Sequence, residues 1–236
     1  MVQPDHGGEL LSIGNQGAVY KIQADSPFIN DSGVDGDLSD DEFLVVKEVM
    51  GSAISRKLRR FMIRREYEIY RLLAGIDGIP RCFGLTHSDQ LLLEFIDGRP
   101  LRLSENELPD RARFFSALRD LILAMHGAGV AHFDLKRKEN ILVTTEGKPA
   151  LIDFGSAVKL KQESSWWNRW LFDLACRIDL NAWVKHKYLG RYGDISAADE
   201  QFFRPTLVER FARVVRRIWR KSTGRQWRKA KKHSRL

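Results

Sequence analysis

Five polar side chains of this chain lie in contexts where groups of their type can do chemistry on a phosphorylated ligand. Lys47 lies in an apolar strand segment, where an ammonium must reach the surface or pair with an anion. Glu66, on the predicted helix that follows, is a candidate for that anion. Asp134 and Asp153 adjoin apolar runs and Asn140 opens one, so their oxygens are placed to accept a proton or to bind magnesium.

A glycine-rich segment near the N-terminus adds a candidate phosphate-binding turn. In Ser12-Ile-Gly14-Asn-Gln-Gly17-Ala-Val19 the glycines let the backbone approach phosphate oxygens and bond them through N–H groups. Taken alone, each feature also has an ordinary structural explanation. The glycines suit any tight turn, Lys47 suits an edge strand facing solvent, and an aspartate suits a turn or a helix cap.

Hydrophobic periodicity and turn signals predict the elements that position these residues. The predicted elements are two strands around a glycine turn in 9–23, an acidic loop at 24–42, a strand from Phe43, a helix at 55–74, a strand at Leu91–Ile96, a helix opened by Pro109, short strands at Asn140–Val143 and Ala150–Ile152, a helix at 165–188 and a last helix from Pro205. This order predicts an α+β fold of two lobes. A small β-rich N-lobe would take 1–95, an abbreviated helical C-lobe 96–203, and a basic helical tail 204–236.

The order of the motifs resembles that of the eukaryotic-type protein-kinase superfamily, over about residues 9–160. The similarity covers the glycine-rich loop, the Val-Ala-Ile-Lys strand at Lys47, the helix glutamate, the His-Arg-Asp loop at Asp134 and the Asp-Phe-Gly motif at Asp153. Beyond that motif the resemblance weakens, because no Ala-Pro-Glu motif follows. In its short C-terminal half the chain is similar to compact microbial kinases, among them the RIO-type and lipopolysaccharide-core kinases.

The resemblance implies a role for each matching residue in a phosphate transfer that uses ATP and Mg²⁺. The implied ATP-binding residues are Gly14, Gly17, Val19, Lys47 and, through their backbones at the adenine edge, Glu94 and Ile96. The implied catalytic residues are the base Asp134, the γ-phosphate ligand Lys136 and the ion pair of Lys47 with Glu66. The implied magnesium ligands are Asn140 and Asp153. His132 is expected to support the catalytic loop by packing beneath it.

Several positions depart from the family pattern. Where the family has its asparagine this chain has Glu139, and Asn140 comes one residue later. Either the loop bulges by one residue or Glu139 joins the metal site, and we expect the bulge because the apolar run resumes after Asn140. Phe133 replaces an arginine that would bind a phosphorylated activation loop, and Ser12 replaces the first glycine. Asp179 either braces the catalytic loop or lies on a helix surface.

Composition bounds the class of protein and its partners. The 236 residues are 43% hydrophobic, enough to bury a core without disulfides or a structural metal. No apolar run is long enough to span a membrane, no secretory signal is recognisable, and two cysteines favour a reducing cytoplasmic compartment. The net charge of +8 is concentrated from Arg204 onwards, where thirteen Lys and Arg residues accompany one acidic residue. This tail predicts contact with RNA or with the inner face of a membrane, unless it only solubilises the chain.

Three hypotheses about the function stay open. Asp134-Leu-Lys136 resembles the loop of Ser/Thr protein kinases, which favours a protein hydroxyl. A sugar hydroxyl of a lipopolysaccharide or another membrane glycolipid is favoured by the short C-lobe, the tail and the tryptophans within 166–170, although core packing is expected for those tryptophans. The third hypothesis is a nucleotide-binding scaffold or RNA-associated protein, because aromatic and basic residues alternate in the tail.

One further segment, 31–42, follows part of the EF-hand pattern for binding calcium. Its residue at the third ligand position is Gly33, which has no side-chain oxygen, and strands rather than helices are predicted on both sides. We therefore expect an acidic loop and no calcium site.

Overall fold

A computed structural model describes residues 7–14, 17–30, 32, 42–48, 53–163 and 165–205. The first half contains β1 (Glu9–Gly14), β2 (Gly17–Gln23), α1 (Pro27–Asn30), β3 (Phe43–Glu48), α2 (Ala53–Leu72), β4 (Cys82–Leu85) and β5 (Leu91–Glu94). The second half contains β6 (Gly98–Pro100), α3 (Leu101–Ser104), α4 (Arg111–Gly127), β7 (Val130–Ala131), β8 (Ile141–Thr144), β9 (Pro149–Leu151), β10 (Val158–Lys159), α5 (Trp166–Lys187) and α6 (Ala197–Glu200). The predicted α+β fold in two lobes is confirmed.

The long elements and the short strands β5, β8 and β9 agree with the predictions, whereas β4, β6, β7, β10, α3 and α6 were not predicted. The acidic loop predicted at 24–42 is wrong near its start, where the single-turn helix α1 forms. The two-residue strands β7 and β10 carry too few side chains for a periodicity to be recognised. The helix predicted from Pro205 and most of the 31–42 segment lie outside the described residues.

The N-lobe is an antiparallel sheet of five strands in the order β1-β2-β3-β5-β4. Alternation along β3 sends Leu44 and Val46 to one face, where they pack in a cluster with Ile29 of α1. The other face of the sheet packs against α2, and Val45 contributes to that core. Since Lys47 is two residues beyond Val45, the same alternation turns its side chain toward α2.

One apolar core joins the two lobes. It contains Ile69 and Tyr70 from α2, Phe115 and Ile122 from α4, and Trp183 from α5, all of them buried. Because α2 packs on both the sheet and the C-lobe core, the position of its side chains is fixed relative to both lobes.

The C-lobe places the ends of two short strands beside each other. β8 and β9 form an antiparallel pair, with Ile141 opposite Leu151. Asn140 precedes β8 and Asp153 follows β9, so both residues lie at the same end of this hairpin. The backbone N–H of Ile152 donates to the carbonyl of Asn140 at 3.1 Å and so ties the two ends together.

Helix α5 is buried along its second half and exposed at its start. The prediction that the tryptophans within 166–170 pack in the core is wrong: Trp166, Trp167 and Trp170 are 65%, 59% and 54% exposed. The buried tryptophan of this helix is Trp183, whose indole N–H donates to the carbonyl of Phe115 at 2.7 Å. Among the described residues, no helix has the length and apolar character needed to cross a bilayer.

Candidate active site

Lys47 reaches from the N-lobe sheet to two carboxylates. Its Nζ lies 2.9 Å from both oxygens of Glu66 and 2.8 Å from Oδ1 of Asp153. Lys47 is 9% exposed and Glu66 is 1% exposed. β3 is a central strand, between β2 and β5, so the alternative explanation of Lys47 as a solvent-facing edge-strand lysine is wrong.

The charges of this group stabilise one another. Burial by itself would lower the pKa of Lys47, but the carboxylates of Glu66 and Asp153 outweigh it and hold that pKa above its ordinary value. Burial would likewise raise the pKa of Asp153, and the ammonium of Lys47 reverses the direction, so this pKa lies below its ordinary value. Lys47 and Asp153 are therefore both charged at neutral pH, as a site for an anionic ligand and a cation requires.

Asp153 is held in place by the residue that follows it. The backbone of Asp153 is left-handed, with φ of 65°, and a 3₁₀ turn begins at Phe154. The ring of Phe154 is buried between Tyr70 of α2, at 5.1 Å between ring centroids, and His132, at 4.8 Å. His132 is fully buried and its Nε2 lies 3.0 Å from the carbonyl of Ile152, which agrees with the expected supporting role.

Asp134 and Asn140 meet across the catalytic loop. The Asn140 amide nitrogen donates to the Asp134 backbone carbonyl at 3.2 Å and contacts Asp134 Oδ2 at 3.4 Å. A 3₁₀ turn at Lys138–Asn140 absorbs the extra residue of this loop. The side chain of Glu139 points away and pairs with Arg102 at 2.7 Å, so the structure has the bulge and keeps Glu139 out of the site.

Asp179 of α5 braces the catalytic loop from beneath. This carboxylate is fully buried and accepts the backbone N–H of His132 at 2.7 Å and that of Phe133 at 2.8 Å. Phe133 has a left-handed backbone, with φ of 69°, which is unfavourable for a bulky residue. The two hydrogen bonds to Asp179 hold that conformation and so fix the residue that precedes Asp134.

A comparison with known families agrees with this geometry. A family model described as the protein kinase domain matches residues 36–175, more than half of the chain. The chain belongs to the protein kinase domain family. No curated protein gives a significant match to the chain. Membership of this family supports a kinase activity in general, with ATP binding and transfer of a phosphate to a hydroxyl acceptor.

The predicted nucleotide-binding residues of the N-lobe sheet lie on strands β1, β2 and β5. Gly14 pairs with Gly17 at the end of the β1–β2 hairpin, and Val19 lies opposite Lys47 in the β2–β3 register. Residues 15 and 16, at the tip of the hairpin, are outside the described residues. Glu94 ends β5, and its N–H already donates to the carbonyl of Arg81 at 2.8 Å.

Sequence reasoning missed Arg65, which ties α2 to the segment after Asp153. Its guanidinium donates to the carbonyls of Gly155, at 3.4 Å, and of Ala157. The residue is one of several arginines on α2, and its neighbour Arg64 pairs instead with Asp89 at 2.7 Å. Only its adjacency to Glu66 was available as a signal.

The donor set at the end of the β8–β9 hairpin fits magnesium. Lys47 engages Oδ1 of Asp153, and Asp134 engages the amide nitrogen of Asn140, so Asp153 Oδ2 and Asn140 Oδ1 are the oxygens that could bind a cation. Within the described residues, no three His, Cys, Asp or Glu side chains cluster as a metal site. One carboxylate and one amide suit Mg²⁺, which keeps several waters and binds substrate phosphates.

Proposed function

We propose that the protein is an ATP- and Mg²⁺-dependent kinase that transfers the γ-phosphate to a Ser or Thr hydroxyl of a protein. The observation that carries this proposal is the contact of the Lys47 ammonium with Glu66 of α2 and Asp153 beyond β9, within 2.9 Å of each. Three distant parts of the chain meet there. An ammonium that is held by one carboxylate and lies beside a second can bind the phosphates of a nucleoside triphosphate, while the second carboxylate can bind the accompanying cation.

The catalytic steps fall to the loop around Asp134. Its carboxylate is partly exposed and would orient the acceptor hydroxyl and take its proton. Lys136 is exposed two residues later, where its ammonium would steady the transferred phosphate. Asn140 and Asp153 would hold magnesium, which neutralises charge on the phosphates when bound.

The adenine would bind where β5 ends. The N–H of Glu94 is used within the sheet, so Glu94 would contribute its carbonyl, as an acceptor for the adenine amino group. Ile96, two residues beyond, would donate its N–H to a ring nitrogen. Gly14, Gly17 and Val19 would cover the nucleotide from the β1–β2 hairpin. We place the boundary between the lobes here, with the N-lobe at 1–95 and the C-lobe at 96–203.

A protein acceptor is supported by Lys136, since the Asp-Leu-Lys order resembles Ser/Thr kinases. A glycolipid sugar hydroxyl is the second candidate, and the exposed tryptophans at the start of α5 favour it because tryptophan is enriched at membrane interfaces. A scaffold without turnover is disfavoured, since Lys47, Glu66, Asp134 and Asp153 are all present.

The test is transfer of labelled phosphate from ATP with Mg²⁺ in a whole-cell extract, followed by identification of the labelled species. We expect a labelled protein with wild-type chain and none with Asp153→Ala, since the substitution removes a metal ligand. Asp120→Ala is the matched control, because Asp120 is exposed and, among the described residues, its ion pair is with its neighbour Arg119. Label in a glycolipid would establish the second candidate, and absence of any label with folded protein would refute a kinase activity.

A further inference from the structure

The first turns of α5 carry an exposed aromatic surface, the tryptophan stripe, made of Trp166, Trp167, Trp170 and Leu171. Helical spacing places residues four apart on one side, so Trp166 lies beside Trp170 and Trp167 beside Leu171. Trp166 and Trp167 stack at 3.8 Å between ring centroids, and Trp170 contacts Trp167 edge-on at 6.0 Å. Leu171 is 38% exposed, so the whole stripe faces outwards.

The stripe is mounted rigidly on the C-lobe. On the opposite side of the helix, Phe172 and Ala175 are buried in a cluster with residues of β7 and β10. The side chain of Asn168 accepts the N–H of Lys161 at 2.9 Å and donates to the carbonyl of Lys159 at 3.1 Å. The helix therefore cannot turn its tryptophans inwards without losing its own core contacts and this anchor.

Basic side chains lie near the tryptophan stripe. Lys161 and Arg169 are exposed and line a cleft of about 650 Å³, whose apolar part, Leu160 and Phe172, lies on the side of α5 away from the tryptophans. Arg169 is three residues from Trp166 and so borders the stripe. The acidic residue Asp173 also borders the cleft. The thirteen basic residues from Arg204 onwards add charge of the same sign to the chain.

We propose that the tryptophan stripe docks the protein on a bilayer surface that carries anionic lipids. Three of its four apolar residues are tryptophans. Tryptophan rings are enriched at the headgroup level of membranes, where the apolar part of the ring faces the acyl chains and the N–H faces the hydrated headgroups. Lys161 and Arg169 would face the lipid phosphates. This inference concerns the surface alone and does not rest on the proposed kinase function.

The ring stacking favours a membrane over RNA. A nucleic-acid base binds an aromatic residue by stacking on its open face. Trp166 and Trp167 cover each other's faces, with an interplanar angle of 28°, so the inner faces are unavailable to bases. Insertion into a lipid interface needs the outer faces and edges of the rings, which are exposed.

The stripe is also close in sequence to the site. The chain runs from Asp153 through the carbonyls that Arg65 holds to β10, and reaches Trp166 a few residues later. β10 pairs with β7, which leads directly into the loop of Asp134. Docking through the stripe would therefore fix the orientation of the candidate active site relative to the bilayer.

The experiment uses the full chain without ATP and vesicles of phosphatidylcholine, with and without phosphatidylglycerol. Wild type is compared with the triple variant Trp166→Ser/Trp167→Ser/Trp170→Ser and with Leu103→Ser, an equally exposed apolar residue of α3. We expect the triple variant to lower partitioning onto anionic vesicles by about tenfold or more, and the control to bind as wild type does. Vesicles with brominated acyl chains should quench the fluorescence of wild type and quench the triple variant less.

Each outcome decides the proposal. Equal vesicle binding by wild type and triple variant, or equal quenching of both, would overturn it. Loss of binding to a single-stranded RNA oligonucleotide with vesicle binding retained would assign the stripe to RNA and overturn it as well. If circular dichroism shows that the triple variant is unfolded, Trp166→Ser alone gives the same comparison. Vesicle binding by a chain that transfers no phosphate would refute only the kinase function.

Discussion

At the residue scale, the candidate active site depends on how its buried charges are compensated. Glu66 is 1% exposed, and an isolated carboxylate at such a depth would be strongly unfavourable. The ion pair with the ammonium of Lys47 compensates the cost of burying the Glu66 carboxylate, and the same ammonium keeps Asp153 ionised. One side chain thus serves both the stability of the fold and the electrostatics of the cleft.

Lys47→Ala should reduce phosphate transfer by about 100-fold or more while the chain stays folded, because the positive charge opposite the phosphates is lost. The measurement is the turnover number with ATP and Mg²⁺, with circular dichroism as the test of folding. The double variant Lys47→Ala/Glu66→Gln removes the uncompensated carboxylate and should stay equally slow. Lys57→Ala, an exposed lysine of α2, is the control. Wild-type turnover in Lys47→Ala would contradict the role given to this lysine.

His186 gives the stability of the fold a dependence on pH. It is buried, with its Nε2 2.8 Å from the carbonyl of Leu135 in the catalytic loop. Burial lowers its pKa to about 4, against the raising effect of that carbonyl, and the cations Lys138 and Lys185 lower it further. The unfolded chain therefore binds more protons between pH 6.5 and 4, so the free energy of unfolding falls as the pH falls through this window.

We expect His186→Gln to reduce this acid sensitivity, because an amide can still donate to the Leu135 carbonyl but does not titrate. The contribution of His186 is on the order of 3 kcal/mol at most between pH 7 and pH 4. Urea unfolding at pH 7 and pH 5 measures it for both proteins. Equal losses of stability in wild type and His186→Gln would show that other groups cause the acid sensitivity.

At the scale of elements, α2 and α5 fix the two sides of the site. α2 presents Glu66 to Lys47 and Arg65 to the backbone after Asp153, so one helix sets the distance between the sheet and Asp153. α5 presents Asp179 to the N–H groups before Asp134. The loop around Asp134 is short and irregular, and contacts with these helices fix its position.

Arg65→Ala should lower turnover by roughly tenfold, because hydrogen bonds from a charged donor to Gly155 and Ala157 are lost. Hydrogen exchange at residues 155–157 should become faster in the same variant, which reports on the position of this segment directly. Arg64→Ala removes an adjacent arginine of the same helix that pairs with Asp89, and it should change neither quantity. The same response to both variants would mean that α2 needs arginines only for its surface charge.

At the scale of the whole molecule, charge is distributed very unevenly. The net charge of +8 is smaller than the excess of basic residues after Arg204, so the remainder of the chain is acidic overall. The family match at 36–175 ends well before this basic segment. The family match and the basic segment therefore occupy separate parts of the sequence.

Deleting the residues after 222 should leave ATP binding unchanged and weaken association with anionic vesicles or RNA. The difference from wild type should be largest at low ionic strength and shrink as salt screens the charges. Vesicle sedimentation and binding of a fluorescent ATP analogue, each over a salt series, measure the two properties. Vesicle and RNA binding that are unaffected by the deletion would remove any role of this segment in attraction to polyanions.

The long elements and the candidate site residues could be predicted from the sequence, because both predictions rest on local patterns. The period of 3.6 in α2 and α4 and the alternation in β2 and β3 reflect which side of each element is buried. The order of the glycine hairpin, Lys47, Asp134 and Asp153 was sufficient to indicate the family. The elements that escaped prediction, such as β7 and β10, are stabilised by partners far along the chain rather than by their own residues.

Only the tertiary structure decided which neighbours these residues have. That β3 is a central strand, and that Glu66 and Asp153 both reach Lys47, depends on strand order and on the packing of α2 against both lobes. The exposure of Trp166 and the burial of Trp183 on one helix follow from how much of α5 the C-lobe covers. Burial and charge pairing arise between segments that are distant in sequence, so no local pattern contains them.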